Sequence, residues 1–179
     1  MPPNSRNTAL LLAALLGLSQ CKKNNPAPEE QLPPATQTGA NTMGCLVNGQ
    51  PWTPQGNDGY SNYSISYDQN PYGVFDASAY RYQQEPTNNY QYLILFAREL
   101  RGPQSYDLRD LINTRVSWKD RLTGCDFNSD DAGTYHKGTL TITRLDLQAG
   151  IIAGTFDFVL AKPGCDTVRI TQGRFDKRL

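Results

Sequence analysis

The chain reads GTLTITRLD at residues 138–146 and IIAGTFDFVL at residues 151–160, and large apolar side chains alternate with polar ones in both runs. A period of two is typical of a β-strand with one buried face. A third alternating run follows the Lys-Pro-Gly-Cys turn sequence at residues 162–165. The sequence therefore predicts three consecutive antiparallel strands. The predicted inward side chains are Leu140, Ile142, Ile152, Phe156, Phe158, Leu160, Val168 and Ile170.

The connection between the last two strands fixes their register. Phe158 and Ile170 can share the inward face only if the loop contains an odd number of residues, because a two-residue turn would place Phe158 opposite Arg169. Within this register, Leu140 opposite Phe156 brings His136 opposite Leu160.

The rest of residues 42–179 shows the same strand periodicity. Asn48-Gly49 predicts a tight hairpin turn, and Pro51 indicates an edge position or a bulge on the second arm. Residues 90–98 form the most apolar run of this domain outside the three C-terminal strands, which favours a central strand buried on both sides. Only residues 107–113 have a faint helical pattern, of one turn. We predict an all-β fold, either a single antiparallel β-sandwich or a closed or rolled β-barrel, of about nine to ten strands.

The N-terminal residues have the pattern of an export signal. Arg6 precedes an apolar run at residues 9–18, which is too short to span a bilayer and suits a signal-peptide core. The following Leu-Ser-Gln-Cys at residues 18–21 resembles a bacterial lipobox, although Gln20 stands where a small residue is usual. We expect a signal peptide at residues 1–20 and lipidation of Cys21. An ordinary secretory signal explains less, because no small-x-small cleavage site lies nearby.

Residues 22–41 consist mainly of Pro, Gln, Asn, Glu and Thr. Such a composition cannot bury enough apolar surface to offset the entropy of ordering. We therefore predict a lipidated Cys and disordered linker at residues 21–41, followed by one β-rich domain at residues 42–179. Seventeen basic and seventeen acidic side chains balance, so the charge pattern does not favour nucleic acid as a partner.

Residues 38–49, residues 152–158 and the GRFD sequence at residues 173–176 resemble a family of uncharacterised Bacteroidota lipoproteins that share a domain of unknown function. The resemblance implies a lipid-anchored β-rich domain in the cell envelope, on the periplasmic side or at the outer-membrane surface. It carries no activity and no catalytic residues to this chain.

Three patterns contain residue types that serve in catalytic or metal sites. Residues 126–131 resemble the start of a calcium loop, but Asp131 stands where the loop needs Gly and Lys137 where it needs a closing Glu, which favours a solvated turn. His136 has no nucleophile motif beside it, and we expect an exposed polar residue. Asp146 and Asp157 could serve a glycosidase only if they converge in one cleft. We expect no metal site and no cofactor.

The ten tyrosines are concentrated, with eight of them between residues 60 and 92. Aromatic side chains on an open sheet face can stack on sugars or peptides. The alternative is that these tyrosines line the core and its rim, since Tyr is a good strand former. The candidate ligand-binding residues are Tyr63, Tyr67, Tyr80 and Tyr82.

Acylation of Cys21 leaves three cysteines in an oxidising compartment. Cys125 and Cys165 fall at the same end of the predicted sheet, yet several strands apart, so a bridge requires the sheet to curl or a loop to arch across its end. We favour a Cys125–Cys165 disulfide over no bridge, with Cys45 as a buried free thiol.

Taken together, these patterns predict an exported, membrane-anchored lipoprotein whose β-domain is a non-catalytic binding or structural module. The membrane is contacted through the N-terminal lipid, and the ligand is a glycan, a peptide or an envelope protein. Two alternatives remain open. A lipocalin-like carrier of a small apolar ligand needs an unfilled barrel interior, and a glycan-active enzyme needs two acidic residues in one cleft.

Overall fold

The computed structural model describes residues 26–57, 59–82 and 89–179. These residues form a short 3-10 turn at Pro28–Gln31 and eleven strands, numbered in chain order. The strands are β1 (Thr42–Val47), β2 (Gln50–Trp52), β3 (Tyr63–Asp68), β4 (Val74–Tyr82), β5 (Tyr90–Ala97), β6 (Gln104–Asp107), β7 (Thr114–Asp120), β8 (Cys125–Asn128), β9 (Tyr135–Asp146), β10 (Ile151–Ala161) and β11 (Val168–Arg178).

The strands form two antiparallel sheets that pack face to face as a β-sandwich. The six-stranded sheet has the order β2-β1-β11-β10-β9-β6, and the five-stranded sheet has the order β3-β4-β5-β7-β8. The all-β prediction is confirmed, and of its two architectures the sandwich is the one formed. The closed barrel that a lipocalin-like carrier needs is not formed.

The C-terminal block has the predicted register. Phe156 lies opposite Leu140, and Phe158 lies opposite Ile170, with Val159 rather than Phe158 facing Arg169. All eight predicted inward side chains are buried. A bulge separates the Phe156 and Phe158 pairings on β11.

Aromatic side chains from both sheets meet in the core. The Phe75 ring of the five-stranded sheet stacks on the Phe175 ring of the six-stranded sheet at a centroid distance of 5.5 Å. The Trp52 and Trp118 rings meet edge to face at 5.6 Å, again across the two sheets. Large side chains therefore fill the space between the layers, as a close-packed protein interior requires.

The hairpin between β1 and β2 turns at Asn48 and Gly49, which both have positive φ angles of 49° and 80°. Pro51 lies on the edge strand of its sheet, where its missing N–H leaves no ladder hydrogen bond unmade. Both expectations are confirmed. Of residues 107–113, which showed the faint helical pattern, Asp107 ends β6 and the rest form hydrogen-bonded turns rather than a helical turn. In the described part of the chain, no helix has the length and apolar character needed to cross a bilayer.

Residues 32–41, the N-terminal strap, lie against the outer side of the six-stranded sheet. Leu32 is buried, and a Cβ added to Gly44 of β1 would lie only 2.8 Å from Pro33 Cδ. The prediction that residues 21–41 are a disordered linker is therefore wrong for the strap. Residues 21–25 lie outside the described residues.

One buried carboxylate accepts several hydrogen bonds from the strap. Asp176 of β11 is almost fully buried and accepts hydrogen bonds from Thr36 Oγ1 at 2.7 Å, Thr38 N at 2.8 Å and Gly39 N at 2.7 Å. Burial opposes the ionisation of Asp176, but the hydrogen bonds from Thr36 and from the backbone amides of Thr38, Ala40 and Gly39 outweigh it and lower the pKa of the carboxyl. Composition alone could not reveal this partner, because it lies far away in the sequence.

The Cys125–Cys165 disulfide is present, with a Cα–Cα distance of 5.9 Å. Cys125 belongs to β8 of the five-stranded sheet, and Cys165 lies in the β10–β11 loop of the six-stranded sheet. The bridge thus joins the two layers, so no sheet needs to curl to bring the cysteines together. Cys45 is a fully buried free thiol, and its burial raises the pKa of that thiol to about 12.

Candidate functional site

Four tyrosines lie together on the outer side of the five-stranded sheet and form what we call the tyrosine face: Tyr80, Tyr82, Tyr90 and Tyr92. The period of β4 turns Phe75, Ala77 and Ala79 toward the core and the even-numbered residues outward. Across β4 and β5, Tyr80 lies opposite Tyr92 and Tyr82 lies opposite Tyr90. The face therefore consists of two directly opposed tyrosine pairs.

Contacts between the rings and from the flanking chain hold the face in place. The Tyr80 and Tyr82 centroids are 5.0 Å apart, and those of Tyr82 and Tyr90 are 6.1 Å apart. The Tyr80 hydroxyl donates to the Tyr60 carbonyl oxygen at 2.8 Å, and the Arg121 guanidinium lies 5.0 Å from the Tyr90 ring centroid. Tyr80 is itself buried, whereas the other three rings of the face are half-buried. Tyr80 therefore packs beside Tyr82 and contributes little accessible surface of its own.

Tyr63 and Tyr67 do not belong to the tyrosine face, so the structure does not bring the four predicted binding residues together on one surface. On β3 they point into the sandwich with Ile65, while the serines between them point to solvent. Tyr63 is only 5% exposed, and its burial, followed by the nearby Asp176 charge, raises its pKa. The Tyr67 hydroxyl donates to the Leu100 carbonyl oxygen at 2.8 Å. Both tyrosines are part of the core and its rim.

The outward residues of β5 contradict the expectation that this strand is buried on both sides. Leu93 and Leu95 are fully buried between the sheets, but Ile94 and Phe96 lie on the outer side and are only half-buried. The strand is therefore not buried on both sides. A run of four apolar residues cannot distinguish a strand between two layers from one whose outer side chains form an apolar surface.

An apolar surface adjoins the tyrosine face along the same strands. Val74, Ile94 and Phe96 line a shallow concavity whose wall includes the exposed side chain of Ile112. Asp76 lies in this concavity, and burial raises the pKa of its carboxyl. Ile94 and Ser117 line both this concavity and the one beside the tyrosines. The two concavities therefore form one surface, which we call the outer groove.

Two ion pairs lie on the groove wall, and Asp76 and Arg98, which also line the groove, add one formal charge of each sign. Lys119 Nζ lies 2.7 Å from Asp126 Oδ2, and the Arg115 guanidinium pairs with the Asp130 carboxylate. Asp126 and Asp130 are also two acidic residues of the pattern that resembles a calcium loop. Their ion pairs with Lys119 and Arg115 give the outer groove compensated charge.

The two carboxylates considered for glycoside hydrolysis are not brought together. Asp157 lies opposite Thr139, seven residues from Asp146 along β9. At about 3.4 Å per residue this separates them by roughly 24 Å, whereas a glycosidase pair needs roughly 5 to 10 Å. Asp146 instead pairs with Arg144 at 2.7 Å.

His136 lies near the start of β9, opposite Leu160 as predicted. It is half-buried, and its Nδ1 lies 3.2 Å from the Thr134 carbonyl oxygen. The imidazole lies at the loop-to-strand junction expected from the sequence, but it is half-buried rather than exposed.

A second concavity, the end cleft, lies where the sandwich is closed by the disulfide. It is lined by Val47, Asn48, Trp118, Asp120, Thr123, Cys125, Cys165 and Asp166, among others. The Asp120 carboxylate accepts hydrogen bonds from Gln91 Nε2 at 3.0 Å and from Leu122 N at 2.9 Å. These bonds fix Asp120 as part of the wall.

Comparison of the chain with protein-family models, curated proteins and solved structures found no match. The resemblance to the Bacteroidota lipoproteins therefore stays a prediction. Cys21 and the signal peptide lie outside the described residues, and their assignments likewise stay predictions.

Proposed function

We propose that this protein is an exported lipoprotein, anchored in the cell envelope by a lipid on Cys21. Its β-sandwich is a non-catalytic binding module that holds a glycan, a peptide or an envelope protein on the tyrosine face.

The observation that carries the proposal is the pairing of Tyr80 with Tyr92 and of Tyr82 with Tyr90 on the outer side of a sheet. Tyrosines used only as strand formers in a core would point inward, as Tyr63 does. Tyr rings on an outer face present large, rigid contact areas with a polar end, and few rotatable bonds must be fixed on binding. The paired rings therefore favour recognition over packing.

The position of the strap is compatible with this role. Ten residues separate Cys21 from Leu32, and four of them form the 3-10 turn at Pro28–Gln31. Their reach is therefore shorter than the roughly 35 Å of a fully extended chain of ten residues. The strap lies on the outer side of the six-stranded sheet, whereas the tyrosine face lies on the outer side of the five-stranded sheet. A lipid anchor would thus join the domain on the layer opposite the proposed binding face.

Binding of the detergent-extracted protein to glycan and peptide arrays tests the proposal. Tyr92→Ala should lower the affinity for any captured ligand by about tenfold or more, because removal of a central aromatic contact commonly has an effect of this size. Thr155→Ala is the matched control, since Thr155 is an exposed strand residue on the opposite face of the sandwich. Equal losses in the two variants, or no binding by the wild-type protein, would contradict the proposal.

A further inference from the structure

The outer groove is long and runs parallel to its strands. Tyr90 and Phe96 mark its two ends on β5 and are six residues apart. At about 3.4 Å per residue their separation is roughly 20 Å. A single pyranose ring is much shorter than this, so one sugar could occupy only part of the groove.

The floor and the wall of the groove differ in chemistry. The floor combines tyrosine rings with Ile94 and Phe96, whereas the wall carries Ser117, Asn128 and the Lys119–Asp126 pair. A pyranose ring has the complementary character, with apolar C–H faces and a circumference of hydroxyl groups. An apolar ligand would leave the polar wall groups without hydrogen-bond partners, which is costly when they are desolvated.

The paired charges favour a ligand without net charge. Lys119 and Arg115 already contact Asp126 and Asp130, and a polyanion would have to compete with these carboxylates for its cations. Both pairs are partly exposed to solvent, and Asp76 and Arg98 add one charge of each sign to the groove. The groove therefore has no net formal charge with which to select a charged ligand.

The backbone of the groove floor offers no free ladder to a peptide strand. β4 is paired on one side with β3 and on the other with β5, and β5 is paired on its far side with β7. Strand addition requires an unpaired sheet edge. A ligand of this groove is therefore recognised by side chains.

We infer that the outer groove binds an extended, uncharged glycan chain that lies along β4 and β5 and contacts the tyrosine face and Phe96 at the same time. This inference rests on the proposed function of the tyrosine face and names its ligand class and its extent.

Neutral gluco-oligosaccharides from the monosaccharide to the hexasaccharide test the extent of the site. With the detergent-extracted full chain, calorimetry should show affinity that rises with length and then levels off once the groove is filled. Phe96→Ala should lower the affinity for the hexasaccharide by about tenfold and the affinity for the disaccharide by less than about twofold. Tyr92→Ala should lower the affinity for both. Thermal unfolding of each variant controls for folding, and the length series on the wild-type protein needs no variant.

The outcomes separate the inference from the proposed function. Length-independent binding that is sensitive to Tyr92→Ala would overturn the extended site and leave a binding module. Tighter binding of galacturonate oligomers or of peptides would overturn the uncharged glycan in the same way. A face-to-face dimer in sedimentation, lost in Phe96→Ala, would assign the groove to a second copy and overturn the inference. Failure to bind any of these probes would overturn both.

Discussion

Replacing Asp176 with Asn should release the N-terminal strap while leaving the sandwich folded. Both carboxylate oxygens accept hydrogen bonds from the strap. Oδ2 accepts from Thr36 Oγ1 and Thr38 N, and Oδ1 accepts from Gly39 N. The Asn side chain has nearly the same volume but only one acceptor oxygen, so it leaves at least one of these donors without its partner. An N–H facing the Asn amide group would also face a donor.

The size of the effect follows from the number of bonds lost. A hydrogen bond to a charged group contributes about 1.5 to 3 kcal/mol, and the substitution removes at least one such bond and the charge that strengthens the others. We expect a loss of about 2 to 3 kcal/mol in the free energy that holds the strap to the sheet.

The same carboxylate gives the strap a defined pH dependence. The pKa of Asp176 is lower in the folded protein than its ordinary value. Between these two pKa values the folded state therefore binds fewer protons than the unfolded state. The contribution of Asp176 is therefore complete above the unfolded pKa of about 4 and is lost as the pH falls through the lower folded pKa.

Amide hydrogen exchange of Thr38 and Gly39 measures this effect directly. In Asp176→Asn both amides should exchange about 30-fold faster or more, and urea unfolding of the remaining sandwich should change less. Asp157→Asn is the matched control, because Asp157 is an exposed carboxylate on the same sheet. Unchanged protection of Thr38 and Gly39 in Asp176→Asn would refute the claim that the Asp176 carboxylate stabilises this part of the strap.

Three further predictions concern the core, the disulfide and the anchor. Phe156→Ala should reduce the free energy of unfolding by about 3 to 5 kcal/mol, since the side chain is almost fully buried, and a loss under about 1 kcal/mol in urea unfolding would contradict its burial. Replacing both Cys125 and Cys165 with Ser should cost about 4 kcal/mol on the chain-entropy model; in the wild-type protein, denatured without reduction, mass spectrometry should find Cys45 alkylated and the other two bridged. Cys21→Ser should move the protein from the membrane fraction to the soluble fraction, and its retention in the membrane fraction would argue against lipidation.

The C-terminal strands were predictable because one face of each is buried and the other faces solvent. Alternation then specifies both the strand and its inward residues, and the parity argument specifies the loop. The observed pairing of Phe158 with Ile170 follows from these two constraints without any knowledge of the other sheet.

Assignment of strands to layers could not be predicted in the same way. The sequence places Cys125 and Cys165 at one end of the fold, but nothing in local periodicity says that they belong to different sheets. In one flat sheet the two cysteines would be several strands apart. Because they belong to two sheets that face each other, their Cα atoms are 5.9 Å apart.

The tyrosines show where a local pattern was informative and where it was ambiguous. The serines between Tyr63 and Tyr67 indicate, from the sequence alone, that these tyrosines share the inward face of β3. On β4 both faces carry apolar or aromatic residues, and the register with β5 is needed to bring Tyr80 opposite Tyr92.

The most direct test of the tyrosine face is a map of ligand contacts by nuclear magnetic resonance. The detergent-extracted, isotope-labelled full chain would be titrated with the neutral gluco-hexasaccharide while backbone amide shifts are followed. We predict shifts along β4 and β5, centred on Tyr82, Tyr92 and Phe96. Shifts confined to the end cleft, around Asn48 and Thr123, would contradict the central claim that this protein binds its ligand on the tyrosine face.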